Sequence, residues 1–213
     1  MGIHIVIKST STQQALLSTA FANTSVTISW ILDKEVIPEA DLYIDFTYED
    51  VGYFFSFITK QPVLVNAVIE TTDSLPKNAV RFNGWYGFML NNKIEVASKQ
   101  TLLIEEIAAI LKKIDWKLIQ APDEPGMLSA RVVAMIINEA YYGLGDGISS
   151  KTAIDTAMKL GTNYPFGPFE WSKLIGLKKV YHLLSKLAET SHRYAVAPAM
   201  EEELDIKKTA ITK

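Results

Sequence analysis

Apolar and polar residues divide this chain into a strand-like first half and a helical second half. The segments Ile3–Lys8, 24–31, 41–46 and 62–66 are short and either continuously apolar or alternating, a pattern typical of buried strands. A polar run after the first of them leads into a short helical segment, which is the beginning of a β-α-β rhythm. The first half is therefore predicted to be an open α/β sheet with parallel strands in its core.

Further elements complete the predicted sheet domain. Asn91 and Asn92 tolerate positive φ, so the segments on either side of them are expected to form a tight hairpin. The remaining predictions are a helix at about 50–59, hairpin strands at 88–90 and 93–97, a helix over 101–113 and a strand over 116–119.

The second half carries an apolar stripe at three- and four-residue spacing, which predicts an amphipathic helix. The stripe consists of Leu128, Val132, Met135, Ile136, Ala140 and Leu144. Pro122, Pro125 and Gly126 precede it and prevent a continuous helix or a central strand. More helices are expected after Ser150, from Pro168, over 177–190 and over 198–204. We therefore expect an α/β domain at 1–121 and a helical domain at 122–213.

Composition narrows the possible functions. The chain has 48% hydrophobic residues, 21% charged residues and a net charge of -3, so it lacks the basic surface that a nucleic-acid partner requires. It has no cysteine, which excludes disulfides, a thiolate nucleophile and a cysteine metal site, and no metal site is expected. The sequence shows neither an export signal nor an apolar run long enough to cross a membrane. We expect a cytoplasmic protein without a membrane partner.

The helical half resembles the C-terminal domain of the 3-hydroxyacyl-CoA dehydrogenase family. The matching features, in order, are Pro125-Gly126, Asn138-Glu139-Ala140, Ile154-Asp155-x-Ala157-Met158 and the loop 165–170. The resemblance implies a degenerate Rossmann-like domain followed by an all-α domain of the type at the C-terminus of 6-phosphogluconate dehydrogenase. It also implies an origin in fatty-acid metabolism, NAD as the family's cofactor, and a homodimer formed through the helical domain.

A dinucleotide site of this type needs a Gly-x-Gly-x-x-Gly turn after the first strand, and residues 8–13 contain no glycine. The hydroxyls of Ser9, Thr10 and Ser11 could hold an anion at the helix N-terminus, although simple capping is the favoured interpretation. Asp33 lies at about the distance along the chain at which the family's acidic residue meets a ribose, but a solvated carboxylate is the simpler interpretation. We expect no cofactor, with NAD bound only if the family activity survives.

The resemblance also implies a histidine base held by a glutamate. The matching segment, residues 81–88 followed by 93–96, has Tyr86 at the histidine position and retains Glu95. The histidines of the chain are His4, His182 and His192, so none falls in this segment. A phenol with its ordinary pKa of about 10 is a poor base at neutral pH. Glu95 is then most simply a structural or solvated carboxylate.

Two further positions differ from the family's pattern. Val68 stands where the family has an assisting serine, and Ala130 stands where it has an asparagine. The leading hypothesis is a catalytically impaired or non-catalytic homologue that serves as an acyl-CoA-binding or assembly subunit. The alternatives are an active NAD-dependent oxidoreductase with a site rebuilt around Tyr86 or His4, and a structural dimerisation protein.

Several residues of the helical half could serve either packing or a ligand. Phe166, Phe169 and Trp171 could line an acyl pocket, but aromatic residues around a Pro-Gly loop more often belong to the core. Arg131 and Glu139 lie on one face of the long helix, about two turns apart, and could anchor loops.

Overall fold

A computed structural model of the protein describes residues 2–19, 21, 26–32, 36–89 and 92–206. The chain forms two compact units, Met1–Leu128 and Ser129–Lys213. The first unit is an α/β sheet and the second is helical, as the sequence predicts. The segment that follows Ala121 packs with the first unit, because the backbone N–H of Gly126 donates to the carbonyl of Val68 over 2.8 Å.

One seven-stranded sheet forms the first unit. Its strands are β1 (Ile3–Lys8), β2 (Val26–Ile31), β3 (Leu42–Asp45), β4 (Val63–Asn66), β5 (Ala79–Phe82), β6 (Lys93–Ala97) and β7 (Lys117–Gln120). They lie in the order β2-β1-β3-β4-β5-β6-β7. Pairing is parallel from β2 to β5, and β6 is antiparallel to β5 but parallel to β7. The strand order reverses between β1 and β3, which makes their carboxyl ends the switch point of the sheet.

The two faces of the sheet carry separate cores because successive side chains of a strand point to opposite faces. On one face, Ile7, Ile44 and Phe46 belong to a cluster that α3 (Thr101–Leu111) covers with its apolar side. The short helix α1 (Ser11–Leu17) lies on this face, with Leu17 packed against the same cluster. On the other face, Val6, Tyr43, Val63 and Val65 pack with Phe55.

The helix predicted at 50–59 is much shorter in the structure. Helix α2 spans Tyr48–Val51 and ends at Gly52, whose φ of 85° lies in the left-handed region. The chain then runs irregularly, because the Phe54 N–H donates to a carboxylate oxygen of Asp45 over 3.2 Å and Phe55 is buried against the sheet. Tertiary contacts therefore override the local helical pattern.

The hairpin predicted around Asn91-Asn92 is also different. Phe88 and Met89 do not belong to a strand, and β6 pairs with β5 and β7. Leu90 and Asn91 lie outside the described residues. Asn92 does have a positive φ of 51°, as the prediction required.

The second unit is a bundle built around one long helix. Its elements are α4 (Ser129–Gly145), α5 (Lys151–Thr162), α6 (Pro168–Ile175), α7 (Leu177–Ala188) and α8 (Pro198–Glu203). Helix α4 packs against α6, α7 and α8 and buries Val133, Ala134 and Ile137 on that side. Of the described helices, none combines the length and apolar character that a membrane crossing requires.

Polar residues among those that resemble the family fix the loops of this bundle. The side chain of Asn138 donates to the carbonyl of Ala195 over 2.8 Å and accepts from the Ala197 N–H over 2.9 Å. Asp155 accepts from the Phe169 N–H over 2.8 Å. A Cβ at Gly167 would lie 2.3 Å from a carboxylate oxygen of Asp155, so glycine is required at this close approach. These motif residues therefore have structural roles within the bundle.

Candidate functional site

Three backbone N–H groups of the turn between β1 and α1 have partners within the protein. Thr10 caps the helix: its hydroxyl accepts from the Gln13 N–H over 3.2 Å, and the Gln13 side chain accepts from the Thr10 N–H over 2.8 Å. The Ser9 N–H donates to the carbonyl of Ile31 over 3.1 Å. A Gly-rich turn would offer such amides to a pyrophosphate, whereas these three already have protein partners.

The three hydroxyl residues predicted as a weak anion site thus lie in different environments. Thr10 is the helix cap, and Ser11 is exposed at the first position of a helix only seven residues long. Ser9 is buried, and its hydroxyl oxygen has no hydrogen-bond partner among the described residues. The arrangement agrees with the capping interpretation for Thr10. Asp33, the predicted ribose contact, lies outside the described residues.

Two charged residues that the sequence did not single out lie at the switch point. Lys8 and Asp45 are register partners at the carboxyl ends of β1 and β3, and both are buried. The Lys8 ammonium donates to the carbonyl of Leu32 and lies 5.0 Å from the centre of the Phe54 ring. A charged pair that ends two neighbouring strands at a switch point is the signal that could have identified this site.

Asp45 organises the chain that follows it. One carboxylate oxygen accepts from both the N–H and the hydroxyl of Thr47, each over 2.8 Å, and the other accepts from Phe54. Burial raises the pKa of the Asp45 carboxyl, against the opposing effect of these hydrogen bonds and of the Lys8 charge. Burial, together with the Asp45 charge, also raises the pKa of Tyr53 to about 12.

The residues present do not fit a dinucleotide at this crevice. The N–H groups of Ser9, Thr10 and Gln13 are bonded within the protein, and Lys8, Ser9 and Asp45 are buried at the ends of β1 and β3. A pyrophosphate needs exposed amides and a close backbone approach, which this turn does not offer. We therefore assign no chemical step to a nicotinamide cofactor here. The described residues also contain no cluster of His, Asp or Glu side chains suited to a metal ion.

The residues at the family's catalytic positions have other partners or surroundings. Tyr86 is half-buried and borders a cleft described below. A carboxylate oxygen of Glu95 accepts a hydrogen bond from the backbone N–H of Leu128 over 3.4 Å. Val68 is fully buried, and its backbone N–H donates to Glu49 over 2.7 Å. Ala130 is buried in the first turn of α4.

His4, proposed as an alternative base, is tied to the opposite end of β1. One ring nitrogen lies 2.8 Å from the carbonyl of Glu39 and the other 2.9 Å from the hydroxyl of Ser29. His4 lies near the amino end of β1, and Lys8 lies at its carboxyl end, at the switch point. A strand rises about 3.3 Å per residue, so the two residues are about 13 Å apart along β1. The structure favours a structural role for His4.

A buried arginine anchors the chain at the end of the first unit. Arg81 of β5 donates from Nη1 to Asp123 over 3.1 Å and from Nη2 to the carbonyls of Val68 and Glu124, each over 3.0 Å. Partial burial of Asp123 works against ionisation, but hydrogen bonds from Thr72 and the charge of Arg81 outweigh it and lower the pKa of the Asp123 carboxyl. This ion pair fixes residues 121–126 to the sheet.

A cleft of about 440 Å³ lies between α1 and the loop that follows β5. We call it the α1 cleft. Its floor includes Leu17, Phe46, Trp85 and Met89, and its rim includes Gln13, Leu16, Tyr86 and Asn92. None of the described residues that line it carries a charge. No local sequence pattern predicts this cleft, since its lining comes from segments far apart along the chain.

In the second unit, the predicted aromatic residues pack together. The Phe169 and Tyr141 ring centres are 5.0 Å apart, and those of Phe166 and Trp171 are also 5.0 Å apart. Phe169, Trp171 and Tyr141 are buried. Arg131 lies with its guanidinium carbon 6.0 Å from the Tyr194 ring centre. These contacts support the core interpretation of the aromatic residues.

Comparison with known proteins agrees with this architecture. Residues 126–210 match the family model "3-hydroxyacyl-CoA dehydrogenase, C-terminal domain". A 3-hydroxyadipyl-CoA dehydrogenase of Escherichia coli is 48% identical over 77 residues, which are 36% of this chain and 16% of that protein. A probable 3-hydroxybutyryl-CoA dehydrogenase of Bacillus subtilis is 36% identical over 90 residues, 42% of this chain and 31% of that protein. The chain thus matches less than a third of the length of either relative.

The likeness of fold extends over nearly the whole chain. The crystal structure of (S)-3-hydroxybutyryl-CoA dehydrogenase from Ralstonia eutropha superposes with a TM-score of 0.72 at 16% identity, covering 96% of this chain and 94% of that one. The predicted fold class, a Rossmann-like sheet domain followed by a helical domain, is confirmed. The resemblance of the helical half to the C-terminal domain of the 3-hydroxyacyl-CoA dehydrogenase family is thus confirmed over residues 126–210.

Proposed function

We propose that this chain is a 3-hydroxyacyl-CoA dehydrogenase homologue of fatty-acid metabolism that has lost nicotinamide-dependent turnover and acts as an acyl-CoA-binding or assembly subunit. The observation that carries the proposal is the chemistry of the switch point. Lys8 and Asp45 are buried there. The N–H groups of Ser9, Thr10 and Gln13 are bonded within the protein. Since the hydride of the family's reaction comes from or goes to NAD, loss of its site would remove the reaction.

The second line of support is the missing proton acceptor. Tyr86 occupies the expected histidine position, and Glu95 accepts from the chain at Leu128. Val68 and Ala130 bring apolar side chains to two further positions where the family has polar ones. A general base alone typically contributes 10²–10⁴-fold to a rate. Loss at the cofactor turn and at three chemical positions together supports an inactive protein.

The binding or assembly role rests on what the chain keeps. Its helical unit retains the motif residues Asn138, Asp155 and Gly167 in well-bonded structural roles. The helical unit keeps these motif residues, whereas the sheet unit lacks the family's catalytic and cofactor residues. Selection for binding or assembly without catalysis would produce this pattern. We also propose that the helical unit forms a homodimer and that the protein works in the cytoplasm.

One alternative has specific support. The relatives that the chain matches are named as dehydrogenases, and Glu95 is retained, so an NAD-dependent enzyme with a rebuilt site is a competing proposal. Its base would have to be Tyr86, because His4 is bound at the other end of β1.

A paired experiment separates these proposals. Acetoacetyl-CoA is added to the full chain with reduced nicotinamide cofactor, and the cofactor's absorbance is followed; in parallel, the same thioester and free coenzyme A are titrated calorimetrically. We expect no turnover, and saturable heat with the thioester that exceeds the heat with free coenzyme A. Robust turnover would establish the rebuilt enzyme, whereas the absence of both signals would leave assembly as the role.

A further inference from the structure

The α1 cleft, whose rim includes Tyr86 at the family's histidine position, has the size and chemistry of a small-molecule site. Its volume of about 440 Å³ lies within the range of roughly 300–1,000 Å³ that ligand sites occupy. We propose that the α1 cleft binds a neutral, ring-bearing apolar molecule, independently of any dinucleotide or coenzyme A.

One wall of the cleft is held by the end of β4. The Gly84 N–H donates to the side-chain oxygen of Asn66 over 2.9 Å, and the Asn66 amide donates to the Phe46 carbonyl over 3.2 Å. A Cβ at Gly84 would lie 2.6 Å from the Phe82 ring and 2.8 Å from Asn66. The glycine therefore lets the loop approach the sheet closely and fixes the position of the residues that follow it.

The aromatic wall is fixed by a separate set of contacts. The Trp85 indole N–H donates to Glu49 over 2.6 Å, and the other carboxylate oxygen of Glu49 accepts from the backbone N–H groups of Val68 and Ile69 over 2.7 and 3.0 Å. Trp85 is nearly fully buried and lines the cleft. Its ring is thus positioned before any ligand arrives, which lowers the entropic cost of binding.

Helix α1 supplies the opposite wall. The capping box between Thr10 and Gln13 fixes its first turn, and the Gln13 amide also donates to the carbonyl of Phe46 over 3.4 Å. Leu16 and Leu17 continue this wall, with Leu16 49% exposed at the rim. Both walls are therefore tied to the end of β3 at Phe46.

The lining selects the class of ligand. Phe46, Trp85 and Tyr86 offer ring contacts, and Gln13 and Asn92 offer neutral hydrogen-bonding groups at the rim. None of the described lining residues is charged, so a phosphate or carboxylate group would lose its hydration without gaining an ion pair. A neutral ring system is the complementary occupant, and a nucleotide phosphate is not.

Two dyes with one ring skeleton test this directly. N-phenyl-1-naphthylamine is neutral, and 8-anilinonaphthalene-1-sulfonate adds a sulfonate to the same rings; both brighten in apolar surroundings. We expect the neutral dye to bind the full chain saturably at one site per chain, and the sulfonate dye to bind at least about tenfold more weakly because its charge has no partner in the cleft.

Matched variants locate the binding. Leu16→Asp places a carboxylate in the rim, whereas Ala15→Asp places the same charge on the neighbouring exposed residue, which is not among the described residues lining the cleft. We expect the neutral dye to bind Leu16→Asp at least about tenfold more weakly, with Ala15→Asp close to wild type. The proposal would be overturned if the two dyes bound equally well or if the two variants had equal effects. It would also be overturned if the affinity for the dye changed with protein concentration, because the site would then need a second copy of the chain.

Discussion

At the residue scale, side chains that would be solvated or functional in isolation have partners that define structural roles. Thr10 caps α1, Asp45 holds the loop at Phe54, and Glu49 holds Trp85. The capping role of Thr10 follows from residue type and spacing, so sequence reasoning could anticipate it. The partners of Asp45 and Glu49 lie in loops whose paths depend on tertiary packing, so they could not be anticipated.

The ion pair of Arg81 and Asp123 gives a prediction on stability. Arg81 is fully buried, so Asp123→Asn should leave its charge uncompensated and lower the free energy of unfolding by about 3 kcal/mol at pH 7. The matched control is Asp73→Asn, because Asp73 pairs with Lys99 where the two side chains are 74% and 64% exposed. That change should cost much less, because an exposed ion pair is screened by solvent. Urea denaturation measures both; equal effects would contradict the assigned role of Asp123.

The same carboxylate should make stability depend on pH. The pKa of Asp123 is lower in the folded protein than its ordinary 3.8, so its contribution is fully present above that value and is lost as pH falls through the folded pKa. The difference in unfolding free energy between wild type and Asp123→Asn should therefore shrink below about pH 4. A difference that stays constant down to acid unfolding would argue against this ionisation.

A substitution at Tyr86 tests the chemical interpretation. If the missing histidine were the only defect, Tyr86→His would restore oxidation of a 3-hydroxyacyl-CoA, because one base contributes 10²–10⁴-fold. We expect turnover of this variant to stay at background, since the cofactor turn, Val68 and Ala130 differ as well and groups that act together are not additive. Absorbance of the reduced nicotinamide is the readout, and rescue by this one change would mean that the cofactor site works.

At the scale of elements, most strands and helices follow from the pattern of apolar residues. The buried strands β1, β3 and β4 and the amphipathic helix α4 are predicted because their periodicity and burial agree. Helix α2 is misjudged because Gly52 and the contact of Phe54 with Asp45 redirect the chain. The α1 cleft depends on how the loop at 84–89 meets α1, which no local pattern encodes.

The close approach at Gly84 gives a prediction for this loop. In Gly84→Ala the new methyl group would meet Phe82 at 2.6 Å and Asn66 at 2.8 Å, so we expect a loss of about 1–3 kcal/mol in unfolding free energy. Gly161→Ala in α5 is the control, because nothing lies within 4 Å of its Cβ position. Alanine should stabilise that helix by up to about 1 kcal/mol. Thermal unfolding compares them, and a neutral Gly84→Ala would contradict the described packing.

At the scale of the whole molecule, the two units have diverged differently. The helical unit keeps the family motif, and the sheet unit keeps the fold while its cofactor turn has changed. The helical unit also exposes large apolar residues, including Val132, Ile148 and Leu160. These are residues that the proposed association of two chains through the helical unit could bury.

We expect a dimer of two 23.7 kDa chains by light scattering at micromolar concentration. Leu160, 83% exposed on α5, and Leu102, 80% exposed on α3 of the first unit, allow a matched pair of variants. Leu160→Glu should weaken the dimer and Leu102→Glu should not, because a charge is costly only where the contact is buried. A monomer in the wild-type protein, or a stronger effect of Leu102→Glu, would contradict dimerisation through the helical unit.

The central claim is that the switch point of the sheet no longer accepts NAD. Calorimetric titration of the full chain with NAD measures this most directly, with an active NAD-dependent dehydrogenase as positive control. Because the turn after β1 has no glycine and the N–H groups of Ser9, Thr10 and Gln13 are bonded within the protein, we predict a dissociation constant no tighter than about 1 mM, or about 4 kcal/mol of binding free energy. A dissociation constant in the low micromolar range would contradict the account.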